Sequence, residues 1–163
     1  MPLIKSLQPA DVATVAKIEA RQHLTPWCAS SFEDALRSGW HARVLRETDQ
    51  LDAPVLGYFI AMTAGDDEEL LTITVAPEYE SRGYGRLLLD RLLTEATARG
   101  AARLFLEVRQ SNQRAIRLYI SAGFTIAGMR KNYYAIPANP AQNRPAGRED
   151  AVLMVRALQE PAL

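Results

Sequence analysis

Glu80-Ser81-Arg82-Gly83-Tyr84-Gly85-Arg86 is the stretch that decides how this chain folds. An apolar, β-branched run, Leu70-Leu71-Thr72-Ile73-Thr74-Val75, precedes it and is closed by Ala76-Pro77. Leu87-Leu88-Leu89-Asp90-Arg91-Leu92-Leu93 follows it with helical spacing. The order is strand, glycine turn, helix. Two glycines at alternate positions remove the Cβ atoms that would hold a ligand away from the backbone, so several N–H groups at the helix start can point at one anion. Arg82 and Arg86 add positive charge on either side, and the helix dipole favours the same ligand, for which phosphate is the natural choice. A dinucleotide-binding fingerprint needs a third glycine or alanine three residues after the second, where this chain has Leu88; Gly-Lys-Ser and Gly-Lys-Thr occur nowhere.

Outward from the turn, the helix buries Leu88, Leu89, Leu92, Leu93 and Ala96, and Gly100 ends it. Arg103 to Val108 returns to the sheet as a buried strand, placed parallel to its predecessor by a crossover, and ligands collect where such strands end. Asn112 to Ser121 is a further helix, broken at Gly123. Phe124 to Tyr134 and Asp150 to Val155 form a terminal antiparallel pair, with an irregular loop from Ala135 to Gly147 between them. On the amino-terminal side, Leu3 to Ser6 is a strand, and a helical stripe runs through Arg21. Ser30-Ser31-Phe32-Glu33 has capping-box spacing for a second helix ending near Gly39. His41 to Glu47 and Pro54 to Ala64 are strands, and Gly65 to Glu69 makes the hairpin into the central strand. Its four consecutive carboxylates are either a solvated turn or an acidic rim for a basic peptide.

The 163 residues make one domain, 1–163, with a single core. Nineteen basic residues balance nineteen acidic ones, so no global field draws the chain to nucleic acid or to a membrane. The single cysteine, Cys28, suits a reducing cytoplasm. The start of the chain lacks a signal-peptide apolar core, and the longest apolar run, Val55 to Met62, is too short to span a bilayer.

Glu107 interrupts an apolar strand at its carboxyl end, on the face of Phe105 and Arg109 and opposite Leu104, Leu106 and Val108. A carboxylate there is costly unless paired with a neighbouring arginine or used as a general base. Thr25-Pro26-Trp27-Cys28 is an inter-helix loop whose tryptophan either lids the core or walls a substrate site. Cys28 as a nucleophile is disfavoured, since His23 is five residues away and a lone cysteine is more often a small apolar residue.

The glycine block resembles motif A of the GNAT superfamily of N-acetyltransferases, Gln/Arg-x-x-Gly-x-Gly/Ala. The resemblance continues through Leu106 to Arg109, Ser111-Asn112, Ala115 to Tyr119 and Gly123-Phe124. Pro26-Trp27 with Phe32, Arg130 to Tyr134, and Gly147 to Ala151 look like the RimI subfamily, the ribosomal-protein N-terminal-alanine acetyltransferases. The first motif position is Glu80, which cannot donate to a phosphate and leaves Arg82 to compensate.

The resemblance implies a mixed α/β fold: a central, mostly antiparallel sheet with one splayed parallel pair, flanked by about four helices. It implies acetyl-coenzyme A as co-substrate, held by Ile73, Thr74, Val75, Ser81, Arg82, Gly83, Tyr84, Gly85, Arg86 and Asn112, and no metal. Asn112 also reads as a helix N-cap. It implies a direct attack in a ternary complex, with Glu107 as base and Tyr119 as proton donor to the departing sulfur. Trp27, Tyr133, Tyr134 and Glu149 would wall the groove for the N-terminal alanine of a small-subunit ribosomal protein. Basic residues further along that peptide would meet Glu149, Asp150 or Asp66 to Glu69. An α-amine of pKa about 7.7 to 8.0 is easier to deprotonate than a lysine at about 10.4, so the chemistry suits a terminus. A relative that acetylates another terminus or a small amine, or a silent acyl-coenzyme A-binding module, are the alternatives.

Overall fold

Strand β4, Asp67–Val75, stands at the centre of a seven-stranded sheet, and its relation to β5, Arg103–Arg109, shapes the molecule. The structure, a computed structural model, describes residues 1–159. The other strands are β1, Leu3–Ser6; β2, His41–Arg46; β3, Val55–Ala64; β6, Thr125–Ile136; and β7, Gly147–Ala157, in the sheet order β1-β2-β3-β4-β5-β7-β6. Every neighbouring pair is antiparallel except β4 and β5. Helices α1, Val12–Gln22, and α2, Ala29–Arg37, cover one face of the sheet; α3, Tyr84–Ala98, and α4, Gln113–Ser121, cover the other.

The two faces follow from sequence periodicity. In β3 every residue from Val55 to Ala61 is buried, as a strand covered on both sides requires. Tyr58 and Ile60 join Val15 and Phe32 under α1 and α2, while Phe59 and Ala61 join Leu88 and Leu92 under α3. The buried stripe of α3 is Leu88, Leu89, Leu92, Leu93 and Ala96, as its spacing predicts, and Gly100 ends the helix with φ +85°.

The parallel pair separates. Only Glu68↔Leu104, Glu69↔Phe105 and Leu70↔Leu106 are in register, although both strands continue, to Val75 and to Arg109. On one side β5 stays paired with β7 along its whole length. On the other, β4 follows β3 through a register shift between Ile60 and Ala61, which leaves Leu71 as an extra residue. A bulge bends its strand, so β4 turns away from β5 and a wedge opens beyond Leu70.

Gly57, opposite Val75, lets α3 close on the carboxyl end of β4. A Cβ there would lie 2.5 Å from the Thr74 carbonyl oxygen, 3.0 Å from Leu88 Cδ1 and 3.3 Å from Val75 Cα. Gly57→Ala is therefore expected to lower the unfolding free energy by about 1–3 kcal/mol, the usual range for overpacking, measurable as a fall in the urea midpoint. An unchanged midpoint would mean that β4 yields freely at this point.

Several sequence expectations are corrected. Helix α2 is capped at Cys28, which has extended backbone (φ −92°, ψ 172°), so Ser30 and Ser31 lie inside the helix and form no capping box. The acidic turn is confined to Gly65-Asp66; Asp67 to Glu69 already belong to β4, and Glu68 is buried against Arg99, which grips both its carboxylate oxygens at 2.7 and 2.8 Å. The terminal strand pair is longer than its sequence signal, and the loop between them shrinks to residues 137–146. Within β6, Lys131, Asn132 and Tyr133 bulge out between Arg130↔Ala151 and Tyr134↔Glu149, with Asn132 at φ +52°. That bulge breaks the strict alternation of a regular strand, and the adjacent Tyr133 and Tyr134 rings pack edge to face with centroids 5.0 Å apart.

Candidate active site

Two cavities meet in the wedge between β4 and β5. The larger, about 410 Å³, runs along the glycine turn and the open edge of β4; the smaller, about 190 Å³, lies over the separated ends of β4 and β5. His23, Ile73, Asn112, Ala115 and Tyr119 line both and form the neck between them.

The glycine turn is built as an anion cradle. Ser81 at φ +63° and Gly83 at φ +85° take left-handed conformations on either side of Arg82, an alternation that aims successive N–H groups into one concavity. Helix α3 begins at Tyr84, so its first N–H groups have no intrahelical acceptor. A Cβ on Gly85 would stand 3.5 Å from Leu118 Cδ2 and 3.8 Å from Val75 Cγ2, filling the cleft without clashing. Residues 73–75, Ser81, 83–86 and Asn112 all line the larger cavity. Arg82 does not; its guanidinium lies over the Tyr79 ring, 5.5 Å from the centroid. Arg86 lines the wall while bonded to Asp90 at 2.8 Å.

Glu80 has a structural task. It accepts hydrogen bonds from Gln22 at the end of α1 and from Arg114 on α4, and Arg114 also donates to Ser81 Oγ at 3.2 Å. These bonds, that from Gln22 first, hold its carboxyl below the usual carboxylate range. A carboxylate at this position thus ties two helices to the turn instead of reaching a phosphate.

These features fit acetyl-coenzyme A: phosphate-sized N–H cradle, apolar flanks at Ile73, Val75 and Leu118, and a strand edge free of β5 beyond Leu70. Gly85→Val is accordingly expected to fold yet bind coenzyme A about tenfold or more weakly, since one charge-assisted hydrogen bond contributes about 1.5–3 kcal/mol. Titration calorimetry reads this directly, and undiminished affinity in a folded variant would exclude the cradle.

Tyr119 sits at the neck, 6% exposed, its ring edge-on to Phe124 at 5.8 Å. Among the described residues its hydroxyl has no hydrogen-bond partner. Burial, and then the proximity of Tyr134, pushes its phenol well above the usual tyrosine range, so it stays protonated at neutral pH. Asn112 caps α4, its Oδ1 accepting from the Ala115 N–H at 3.2 Å, while lining both cavities.

Glu107 lines the smaller cavity with its side chain 15% exposed, and its Oε1 is 2.8 Å from Nε of the half-exposed Arg130. The ion pair with Arg130 is therefore present, and the carboxylate still borders the cavity. The Trp27 ring packs on Phe32 at 5.3 Å and lines the smaller cavity. Tyr134 walls it too, with the Arg109 guanidinium 4.6 Å from its ring centroid.

Tyr133 and Glu149 line neither cavity. Tyr133 is about half exposed, and Glu149 is bound to Arg109 at 2.9 Å and to the Ser111 N–H at 3.2 Å. Of the carboxylates expected to meet a basic peptide, Asp67 is paired with Arg103, Glu68 with Arg99 and Glu149 with Arg109, while Asp150 accepts from the Asn132 N–H. Glu69 has a pKa raised by burial and by neighbouring Glu107. Cys28 is exposed and lines neither cavity; its thiol is lowered to about 7, chiefly by the Ser30 hydroxyl.

The sequence reading missed Glu19, Gln22 and Arg114, and did not connect His23 with the site. Glu19, Gln22 and Arg114 lie on helices, and His23 just after one, where apolar spacing gives no hint that polar residues face inward.

A glycine-cradled anion site where a strand parts from its parallel neighbour defines an acyl-coenzyme A N-acyltransferase fold. The chain belongs to the acetyltransferase (GNAT) family, whose model matches residues 12–124. It is 38% identical, over 94% of its length and 96% of the relative, to the ribosomal protein bS18-alanine N-acetyltransferase of Escherichia coli K12. The enzyme of that name from Haemophilus influenzae is 33% identical over 94% of this chain and 97% of its own. The crystal structure of the E. coli ribosomal-protein-S18-alanine N-acetyltransferase superposes with a TM-score of 0.84 at 34% identity, covering 99% of this chain and 97% of that one. Arabidopsis thaliana NAA60 in complex with acetyl-CoA shares the fold, with a TM-score of 0.82 at 16% identity over 97% of this chain and 99% of that one.

Proposed function

We propose that this protein transfers the acetyl group of acetyl-coenzyme A to the N-terminal alanine of ribosomal protein bS18, in the cytoplasm, by direct attack in a ternary complex. The observation that carries the reading is the similarity, spanning nearly the whole of both chains, to enzymes named for that reaction. The two cavities meeting at Tyr119 support it, because thioester and amine must come together at one point.

In this reading the turn around Gly83 and Gly85 holds the pyrophosphate and the open edge of β4 directs the thioester to the neck. The acceptor's first residue enters the smaller cavity. Trp27 and Tyr134 wall that cavity, and their packed rings bound the space left for the acceptor's first side chain. Glu107 takes a proton from the acceptor's ammonium, and Tyr119 protonates the leaving sulfur. The internal pairing of Asp67, Glu68 and Glu149 means that peptide selection rests on the first residue more than on a solvated acidic rim.

The test is thiol release from acetyl-coenzyme A with a panel of peptides. Fast turnover on an alanine-terminated peptide with a free amine, and little on the same peptide N-terminally blocked and bearing lysine, is the expected result. Equal rates on the two would replace this reading with lysine or small-amine acetylation. Thiol release that needs no acceptor would leave only thioester hydrolysis, and no release with any acceptor would leave only an acyl-coenzyme A-binding module.

A further inference from the structure

The neck holds a second ionisable group besides Tyr119. His23 follows the last residue of α1 and lines both cavities. Its Nε2 is 2.8 Å from Thr74 Oγ1 and 3.6 Å from Oε1 of Glu19, one turn earlier on the same helix. Glu19 is only 2% exposed and accepts from Tyr58 OH at 2.6 Å, Thr72 Oγ1 at 2.9 Å and the Trp27 N–H at 3.2 Å. Those three donors are neutral. Among the described residues, no lysine or arginine pairs with Glu19, and His23 is the one side chain near it that can become a cation.

A buried carboxylate is costly unless it is hydrogen-bonded, and with its three neutral donors in place Glu19 turns one edge toward the imidazole and selects its orientation. The hydrogen bond to Thr74 and the carboxylate beyond it put the neutral ring's proton on Nε2, by assignment from the hydrogen-bond network. Nδ1 is then left with its lone pair and no protein partner among the described residues. The other charges around the neck are already matched: Glu107 by Arg130, Arg109 by Glu149 and Glu80 by Arg114. Tyr119 and Tyr134 are both held neutral, their phenols raised by burial.

Amide formation from an ammonium removes two protons from nitrogen, and a single base accounts for one of them. We propose that His23, oriented by Glu19 and Thr74, is a further catalytic residue that accepts the second proton. This inference rests on the acetyl transfer proposed above. Glu107 takes the first proton before attack and passes it to solvent. As the carbon–nitrogen bond forms, the remaining excess proton moves from nitrogen to Nδ1. The carbon–sulfur bond breaks with the Tyr119 proton going to sulfur, and the imidazolium returns its proton to the Tyr119 phenolate. One thiol, one amide and one released proton result, so the step balances. Glu19 is a positioning residue in this scheme, acting only through the imidazole.

The experiment compares the pH dependence of acetyl transfer to an alanine-terminated peptide in parent, His23→Gln and Glu19→Gln. It is paired with nitrogen-15 spectra of the histidine rings, His41 being identified through His41→Gln. His23→Gln is expected to lose about 10²-fold in kcat at neutral pH, with the gap narrowing in acid as the parent's imidazole protonates. Glu19→Gln is expected to lower kcat with little change in KM for the peptide, and to let part of the neutral ring carry its proton on Nδ1, because the carboxylate no longer selects the tautomer. The parent's spectra should show the proton on Nε2. A His23→Gln variant with parental kcat, a loss of equal size at every pH, or a neutral ring protonated at Nδ1 in the parent overturns the assignment while leaving the parent's activity intact. A parent that acetylates no alanine-terminated peptide instead removes the reaction itself, and the assignment with it.

Discussion

Tyr119→Phe is expected to slow the chemical step by about 10²–10³-fold while leaving acetyl-coenzyme A affinity nearly unchanged. The reasoning starts from burial. The Tyr119 ring packs on Phe124 at the neck, and phenylalanine keeps that contact and its volume. The hydroxyl has no protein partner among the described residues, so its removal leaves no buried group unsatisfied and costs little stability. What disappears is a proton donor whose phenol is kept neutral by burial. A thiolate leaving from carbon without a proton is the slower alternative. Single-turnover kinetics isolate the chemical step, and calorimetry measures the cofactor separately. Parental turnover in this variant would remove Tyr119 from the proton inventory and leave it a packing residue of α4.

The parts of this fold that could be read from sequence are those where local pattern and tertiary environment agree. The leucines of α3 face the core because their spacing leaves one apolar stripe, and Leu104, Leu106 and Val108 face it because they alternate. The glycine turn was legible because left-handed backbone at Gly83 has a residue-type signature. Ser81 is left-handed as well, and nothing about serine announces that. The β6 bulge escaped for the same reason: Asn132 tolerates positive φ, but the decision to bulge is made by the pairing with β7, and it brings together two tyrosines that simple alternation would separate.

Charged residues were the least legible. Four consecutive carboxylates suggest a solvated turn, yet Glu68 is buried because Arg99, distant in sequence, reaches it from the end of α3. Glu149 was expected in the groove and instead fastens Arg109, whose guanidinium then sits over Tyr134 and shapes the smaller cavity's wall. Glu80, a departure from the motif, becomes intelligible only when Gln22 and Arg114 are beside it. In each case the partner lies more than thirty residues away, beyond any local window. Gly57 is similar: one glycine in an apolar strand is unremarked until α3 and the β4 backbone close on it.

Glu107→Gln should have its largest effect in acid. Below about pH 7 an α-amine of pKa about 7.7 to 8.0 is mostly ammonium, and the neutral fraction falls tenfold for each further pH unit. An enzyme that binds the ammonium and removes its proton on the site escapes part of that decline; one that must wait for a neutral amine follows it fully. Glutamine keeps the size and polarity of Glu107 but cannot accept the proton, so kcat/KM is expected to fall about 10²-fold at neutral pH and more steeply below it. Arg130 sharpens the comparison. Its guanidinium occupies Oε1 of Glu107 at 2.8 Å, where it competes with an incoming ammonium for the same carboxylate. Because Arg130 is about half exposed, that pair is weakened by solvent and by salt. Arg130→Gln should then lower KM for the peptide without repairing the Glu107→Gln defect, since releasing a carboxylate helps only when there is one to release. Parallel pH profiles for parent and Glu107→Gln, offset by nothing or by a constant factor, would reduce Glu107 to the ion pair it makes with Arg130 and move the first proton to another acceptor.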